Sequence, residues 1–454
     1  MKYTNNSKKT GRVASSVLFA LLSVLFVSCS QEEFLPQETT TLQFVVSDFP
    51  AFQNSSPKLG EVAFRPEGSV LTRAIGTQDE GKTAWANEDK ILVHLYSQKY
   101  GDQAVTLTFD AENNTWESDG GTLSYLENET PTITAVYAPD CEIKSDKTIG
   151  LLEGKQYGEA EYILARTTIS ENSLDINFES GRTYSRLRIA GLANQTLTVT
   201  TTDFTPAGAT EVATAAYTLT TDTNGNAFLY GVFAEGATVR VKQGDITLKD
   251  YTFSAEKNPN GTEYNKSYAL DATPVIDGTL GGKTEATEDD ITALVEQLKG
   301  YVDNGITTII VPGSQPATID MGLWINTAIG EAIYRLSKEE SYDGKIDLIL
   351  PDVTEIVDQE FDGAHALNSI NLPKVTTVGD GAFYDCQYLE ELTFGSVVTA
   401  INHNTRAEFH RVGEKVEGCD LVLNREQVNA EADYQPNIET RTWWNTEWKS
   451  ITLK

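Results

Sequence analysis

The sequence predicts a mainly β protein, two β-sandwiches followed by a short α/β solenoid, and three observations carry that prediction. Between Glu61 and Asp271 at least nine short segments alternate apolar and polar residues, are rich in Val, Thr, Tyr and Phe, and are separated by Gly, Asn and Asp clusters. From about residue 283 a helical period takes over, and helical and apolar strand-like segments then alternate. Finally, shifting the chain on itself by 22 residues aligns Leu350 with Leu372, Pro351 with Pro373, Val353 with Val375 and Ile356 with Val378. The same shift aligns Asp358 with Asp380, Phe361 with Phe383, Leu367 with Leu389 and Ile370 with Leu392, the spacing of a leucine-rich solenoid.

The N-terminus comes first. Lys2, Lys8, Lys9 and Arg12 precede a sixteen-residue apolar run from Val13 to Ser28, too short for the roughly 20 residues of a spanning helix. Residues 1–28 therefore read as a secretory signal. Phe26-Val27-Ser28-Cys29 resembles a bacterial lipobox, which implies that the Cys29 thiol is acylated and tethers the chain to a membrane. Glu32 and Glu33 directly after it resemble an export signal to the outer face of the outer membrane, so a cell-surface lipoprotein is expected. Residues 29–60, with Glu, Gln, Thr and Pro and no sustained apolar period, read as a linker and tether.

Charge narrows the partners. The chain carries a net −31, and loss of the signal's four cations takes it to about −35, which argues against nucleic acid and anionic lipid surfaces as partners. Of the four cysteines, Cys141, Cys386 and Cys419 remain beside Cys29 as an odd, widely spaced set, so no disulfide framework is expected and stability rests on buried cores.

The sandwich region contains "ILVHLYS", "AVTLTFD", "TITAVYA", "SLDINFE", "SRLRIAGL", "TLTVTTTDF", "AAYTLTTD", "AFLYGVFA" and "ATVRVKQ". About 210 residues is long for one sandwich, and "EGKQYGEAEY" at 153–162 lacks strand character. The division is placed there, giving sandwiches at 61–150 and 151–275.

"LTRAIG", "WANEDKILVHLY", "LTFDAENNTW", "TITAVYAP" and "NFESGRTYSRLRIAGL" together resemble the fimbrillin (Mfa-like) family of pilus subunits and adhesins, over roughly residues 61–272. Trp85 with Asp89 and Ile91 precedes a strand, and Trp116 closes the next hairpin. Glu88, where a glycine is common, and Glu179, where a histidine is frequent, depart from the pattern. The resemblance implies two stacked transthyretin-like sandwiches, lipoprotein export, and maturation between Arg73 and Ala74. Removing a first strand bares a row of backbone N–H and C=O groups that a strand from another subunit fills, so partner subunits bound by strand exchange are implied. Arg73 reads equally as a solvated loop residue.

In the last region, 283–454, "TEDDITALVEQLKGYVDNG" places Ile291, Leu294, Val295, Leu298 and Val302 on one helical stripe with Thr287 as N-cap. "ITTIIVP" follows as a buried strand, a second helix is expected over about Met321 to Leu336, and "IDLILP" as a further strand. "GDGAFYDCQYLEELTF" resembles the BspA-type leucine-rich repeat, with Glu360 and Ala364 of the first copy standing where alanine and cysteine recur. Two copies cannot bury a core alone, so "VVTAI", "CDLVLN" and the preceding helices must complete it.

Little in the chain points to catalysis. "DTNGNA" at 222–227 imitates a calcium loop, but Ala227 and Phe233 stand where glycine and a bidentate glutamate belong, and an Asn-Gly hairpin explains it better. His94, His365, His403 and His410 lack metal spacing, and Cys386 and Cys419 fit packed thiols. No metal, no cofactor and no enzyme activity are expected. The tail "RTWWNTEWKSITLK" offers Trp443, Trp444 and Trp448 as an aromatic platform for sugar rings, although such a cluster more often caps a solenoid. The chain therefore reads as a surface adhesin or pilus-associated subunit, at a filament tip because its C-terminal strand belongs to the solenoid. The alternative is a free-standing glycan-binding lipoprotein.

Overall fold

The computed structural model describes residues 39–454 apart from 53–57, 60–81, 127, 257, 259, 278, 279, 281, 314, 319–324, 326 and 403–407. The fold is mainly β, as the alternation pattern requires: every one of the nine segments quoted above contains a strand. The first core lies between two sheets. One is antiparallel, in the order Ile163–Leu164, Thr132–Tyr137, Lys90–Ser97, Gly101–Asp110, Thr115–Ser118. The other joins Arg166–Ser170, Ser173–Asn177 and Gln43–Val46. Ile91, Val93, Leu95, Val105 and Leu107 point inward from the first sheet and Leu174 and Ile176 from the second.

Two boundaries differ from the sequence expectation. Residues 42–52 were expected in the tether, yet Leu42, Phe49 and Phe52 are each at most 5% exposed in the first core. Gln43–Val46 pairs in parallel with Ser173–Asn177, and the Trp85 indole donates to the Ser47 carbonyl at 2.9 Å. Widely spaced apolar residues leave no period for a sequence reading to detect, but each finds a slot once the sheets close. The division at 150/151 is also too early, because Ile163–Leu164 extends the first sheet beyond Thr132–Tyr137, and Phe178 and Tyr184 belong to the same core. Residues 153–162 are a connection within the first unit rather than a link between units. Glu88 takes φ +66, the left-handed conformation in which glycine is favoured, at the position where the resemblance has glycine.

The second core is built around one long strand, Thr196–Pro206. Its first half lies between Ala213–Thr220 and Thr238–Gln243, while Phe204–Pro206 pairs with Asn226–Phe233. Between them Asp203 has φ +49 and the register shifts between Thr201 and Phe204, so the strand changes partners at a bulge. Ser185–Ala190, Ser267–Asp271 and Lys58–Leu59 continue the same eight-stranded sheet beyond Asn226–Phe233. Phe233 stacks between Phe204, at 4.3 Å, and Phe253, at 4.8 Å. The 222–227 turn closes on Asp222, whose Oδ1 accepts from Asn224 N and Asn226 N. The strands on either side of it then pair with other partners, so it is a turn between strands that do not pair with each other rather than the expected hairpin.

The third core is a six-stranded parallel sheet in the order Thr308–Ile310, Ile346–Ile349, Leu367–Leu372, Glu391–Phe394, Asp420–Leu423, Ser450–Leu453. The 22-residue register is observed directly, with Ile370 opposite Leu392 and Ile356 opposite Val378. Helix α1 (Glu288–Asp303) starts at a Thr287 capping box and buries Ile291, Leu294 and Leu298. Helix α2 (Ala328–Leu336) begins later than expected, at the N-cap Thr327, whose hydroxyl accepts from Gly330 N. The chain leaving the second sandwich adds to the first rung, Ile276 N donating to Ile310 O at 2.9 Å. Leu192, Ile246 and Leu248 pack into the solenoid core, and Asn304 at the end of α1 accepts from Asp245 N at 2.8 Å.

Candidate functional site

A described surface that combines a groove, an aromatic ring and uncommitted polar groups lies at the C-terminal end of the repeats. Thr442–Trp443 and Thr446–Glu447 form a short antiparallel pair joined by Trp444 and Asn445, at φ +47 and +55. Two left-handed residues in succession suit the twist of a two-residue hairpin, and Asn-Gly is the pair that adopts them easily. A tryptophan there is held by its surroundings. Its ring stacks on Tyr434 with centroids 5.2 Å apart and planes within 4°, and its Nε1–H donates to Glu408 Oε2 at 3.1 Å. Asp433, Gln435, Asn437, Trp444 and Asn445 line an open groove of about 520 Å³.

Of the three indoles singled out in the sequence, this arrangement separates two from one. Trp443 is 1% exposed and Trp448 2%, packed around Phe409, so both rings cap the solenoid core, although Trp443 also forms part of the groove's wall. Trp444 is half-buried and borders the groove. The expected three-ring platform is corrected to one ring, because at a hairpin tip consecutive residues point in different directions. Asp433, Tyr434, Gln435, Asn437 and Glu408 had no motif to flag them, although "ADYQPN" beside an aromatic tail carries the composition. Cys29, Arg73 and Ala74 lie outside the described residues.

A second cluster, missed in the sequence, sits where the first two cores meet. Arg182 is 4% exposed, donates to Glu161 Oε1 at 2.8 Å and to the Pro50 carbonyl, and lies 3.7 Å above the Phe52 ring. Burial raises the Glu161 carboxyl above its usual range while Arg182 opposes it. Arg182 and Arg186 stand one turn of sequence apart in "GRTYSRLR", and together they fasten the segment 42–52 through its backbone and its phenylalanine.

The remaining chemistry is quiet. Among the described residues no group of three His, Cys, Asp or Glu side chains is placed to hold a metal. His94 pairs with Asp102 at 2.9 Å. Burial pushes the Cys141 thiol up to about 11 and raises Cys386 and Cys419 further, so the thiolate form that reacts is suppressed. No described helix is long and apolar enough to cross a membrane.

Residues 345–411 match the family model described as BspA type leucine rich repeat region (6 copies). The match covers the rungs whose 22-residue register was seen above. No curated protein matches the chain. Among solved structures, a candidate cell adhesion protein of Bacteroides fragilis is 11% identical, covering 51% of this chain and 92% of its own, with a TM-score of 0.25. A candidate cell adhesion protein of Bacteroides ovatus is 14% identical over 43% of this chain and 86% of its own, TM-score 0.24. A candidate adhesin of Bacteroides ovatus is 10% identical over 44% and 84%, TM-score 0.21.

Proposed function

We propose that this chain is a non-catalytic, adhesin-type surface protein, exported as a lipoprotein precursor that is held through Cys29 on the outer membrane until cleavage, and presenting its leucine-rich domain outward. The lipobox-like stretch before Cys29, the fimbrillin resemblance over 61–272 and the matched repeat region support that reading. The observation that carries it is the join between the second sandwich and the repeats. Ser267–Asp271 pairs with Ser185–Ala190 and runs into a segment that pairs with the first rung, so this strand is not free to be donated to a neighbour. Acceptance stays open. Cleavage between Arg73 and Ala74 would sever Gln43–Val46 and Lys58–Leu59 from the body, and their departure would uncover the edges of Ser173–Asn177 and Ser267–Asp271 and the slots of Leu42, Phe49 and Phe52. A subunit that accepts and cannot donate terminates a filament, so the position proposed is the tip.

N-terminal sequencing of the protein recovered from cells, with crosslinking from cysteines engineered along Ser173–Asn177, tests this. A new N-terminus at Ala74 and links to another subunit's C-terminus are expected. Links showing Ser450–Leu453 inserted into a neighbour would overturn it, and an intact lipidated N-terminus without links would favour the free-standing alternative.

A further inference from the structure

We propose that the groove beside Trp444 binds the neutral pyranose rings of a glycan; the biological source of such a glycan rests on the surface-display reading above, whereas the binding chemistry does not. The core needs Trp443 and Trp448, which are 1% and 2% exposed. Trp444 packs against that core from the hairpin tip, where the backbone is left-handed at φ +47, and its ring stays only half-buried. Strain of this kind persists where neighbours over-determine it, and here Tyr434 covers one face while Glu408 takes the indole N–H. Among the described residues no second ring stacks on the other face. A rigid apolar plate at the border of a solvent-filled groove suits the C–H face of a sugar, which needs an aromatic wall and polar groups around its rim.

The rim supplies those groups. Asp433 and Asn445 are exposed and make no side-chain hydrogen bond within the described protein. Asn437 commits its Oδ1 to Thr440 N at 3.1 Å and leaves its NH₂ uncommitted, while Gln435 commits its NH₂ to Ala430 O at 2.7 Å and leaves its oxygen. Acceptors and donors are thus interleaved, which matches hydroxyls that both give and accept. A groove of about 520 Å³ lies within the size range of small-ligand sites. Among the described residues no cation lines it and Asp433 is its one charge, and the whole chain is at −31, so uronates, sialic acids and sulfated or phosphorylated sugars are disfavoured.

The test uses the full chain in detergent with the methyl glycosides of glucose, galactose, mannose and N-acetylglucosamine, and with methyl glucuronide and methyl sialoside as acidic probes. Saturation-transfer NMR and tryptophan fluorescence read binding. At least one neutral probe is expected to bind, with affinity falling roughly tenfold or more in Trp444→Ala and falling also in Asp433→Asn and Asn437→Ala. Asp433→Asn alters one exposed side chain that bonds to nothing, so it remains decisive if Trp444→Ala does not fold. Absence of binding to every neutral probe, binding untouched by these substitutions, or preference for an acidic probe each overturns the proposal. Such a failure leaves surface display standing, since fatty-acid labelling and immunogold detection measure that independently.

Discussion

Glu360 should make the leucine-rich domain less stable as pH rises toward neutrality. It replaces the alanine that recurs in the repeat pattern, is 1% exposed, and accepts from the Thr327 hydroxyl at 3.1 Å and from Val357 N at 3.0 Å. Among the described residues no cation pairs with it, and Glu355 adds repulsion to the larger effect of burial, so the carboxyl is pushed from 4.5 up to about 7. The folded state therefore retains a proton that the unfolded chain releases, and stability falls with pH wherever that difference exists. The contribution is fully present below pH 4.5 and is lost as pH rises through about 7. Its full size is about 3 kcal/mol, most of it between about pH 5 and pH 8. Denaturant unfolding of wild type and Glu360→Gln at those two pH values, followed by the fluorescence of the buried indoles, isolates it. Glutamine cannot match both acceptor roles, which adds a constant offset, but it does not titrate. The stability difference between the two proteins should change by about 2–3 kcal/mol across that range, wild type losing ground at the higher pH. Parallel pH profiles would show that Glu360 is ionised or hydrated in the folded protein, and the reasoning from burial would fail.

Three further outcomes are expected. Phe383→Ala removes a fully buried ring that stacks on Phe361 at 5.7 Å and Phe409 at 5.8 Å, and should cost the repeat domain about 3–5 kcal/mol in denaturant titration; an unchanged midpoint would contradict the inward register. Gly244→Ala forces a side chain onto a φ of +55, with its Cβ 2.2 Å from Asn304 Oδ1. It should destabilise by about 1–2 kcal/mol, with Asn304→Ala relieving part of the loss in a double-mutant cycle, and strict additivity would deny the contact between sandwich and helix. Cys29→Ser should abolish fatty-acid incorporation and release the protein from membranes, and continued labelling would end the lipoprotein reading.

Much of this architecture is written locally. The nine alternating segments, the Thr287 cap and the apolar stripe of α1 each depend on residues within a few positions of one another, so a period in the sequence suffices to find them. The repeat is legible for a related reason: neighbouring rungs are also neighbours in the chain, and Phe361 and Phe383 occupy the same slot 22 residues apart. The next ring in that stack, Phe409, stands 26 residues on, and this change of spacing hid the third rung from a fixed-shift comparison. Only closure of the sheets decided the rest. Leu42, Phe49 and Phe52 have no local pattern and become core because the edge of Ser173–Asn177, more than a hundred residues away, is there to receive their strand. The three tail indoles are equivalent as letters, and the hairpin's two left-handed residues leave Trp444 half-buried at the groove while Trp443 and Trp448 fill the end of the solenoid. Burial is a property of what comes to lie opposite a residue, and that is settled by long-range packing rather than by its neighbours in sequence.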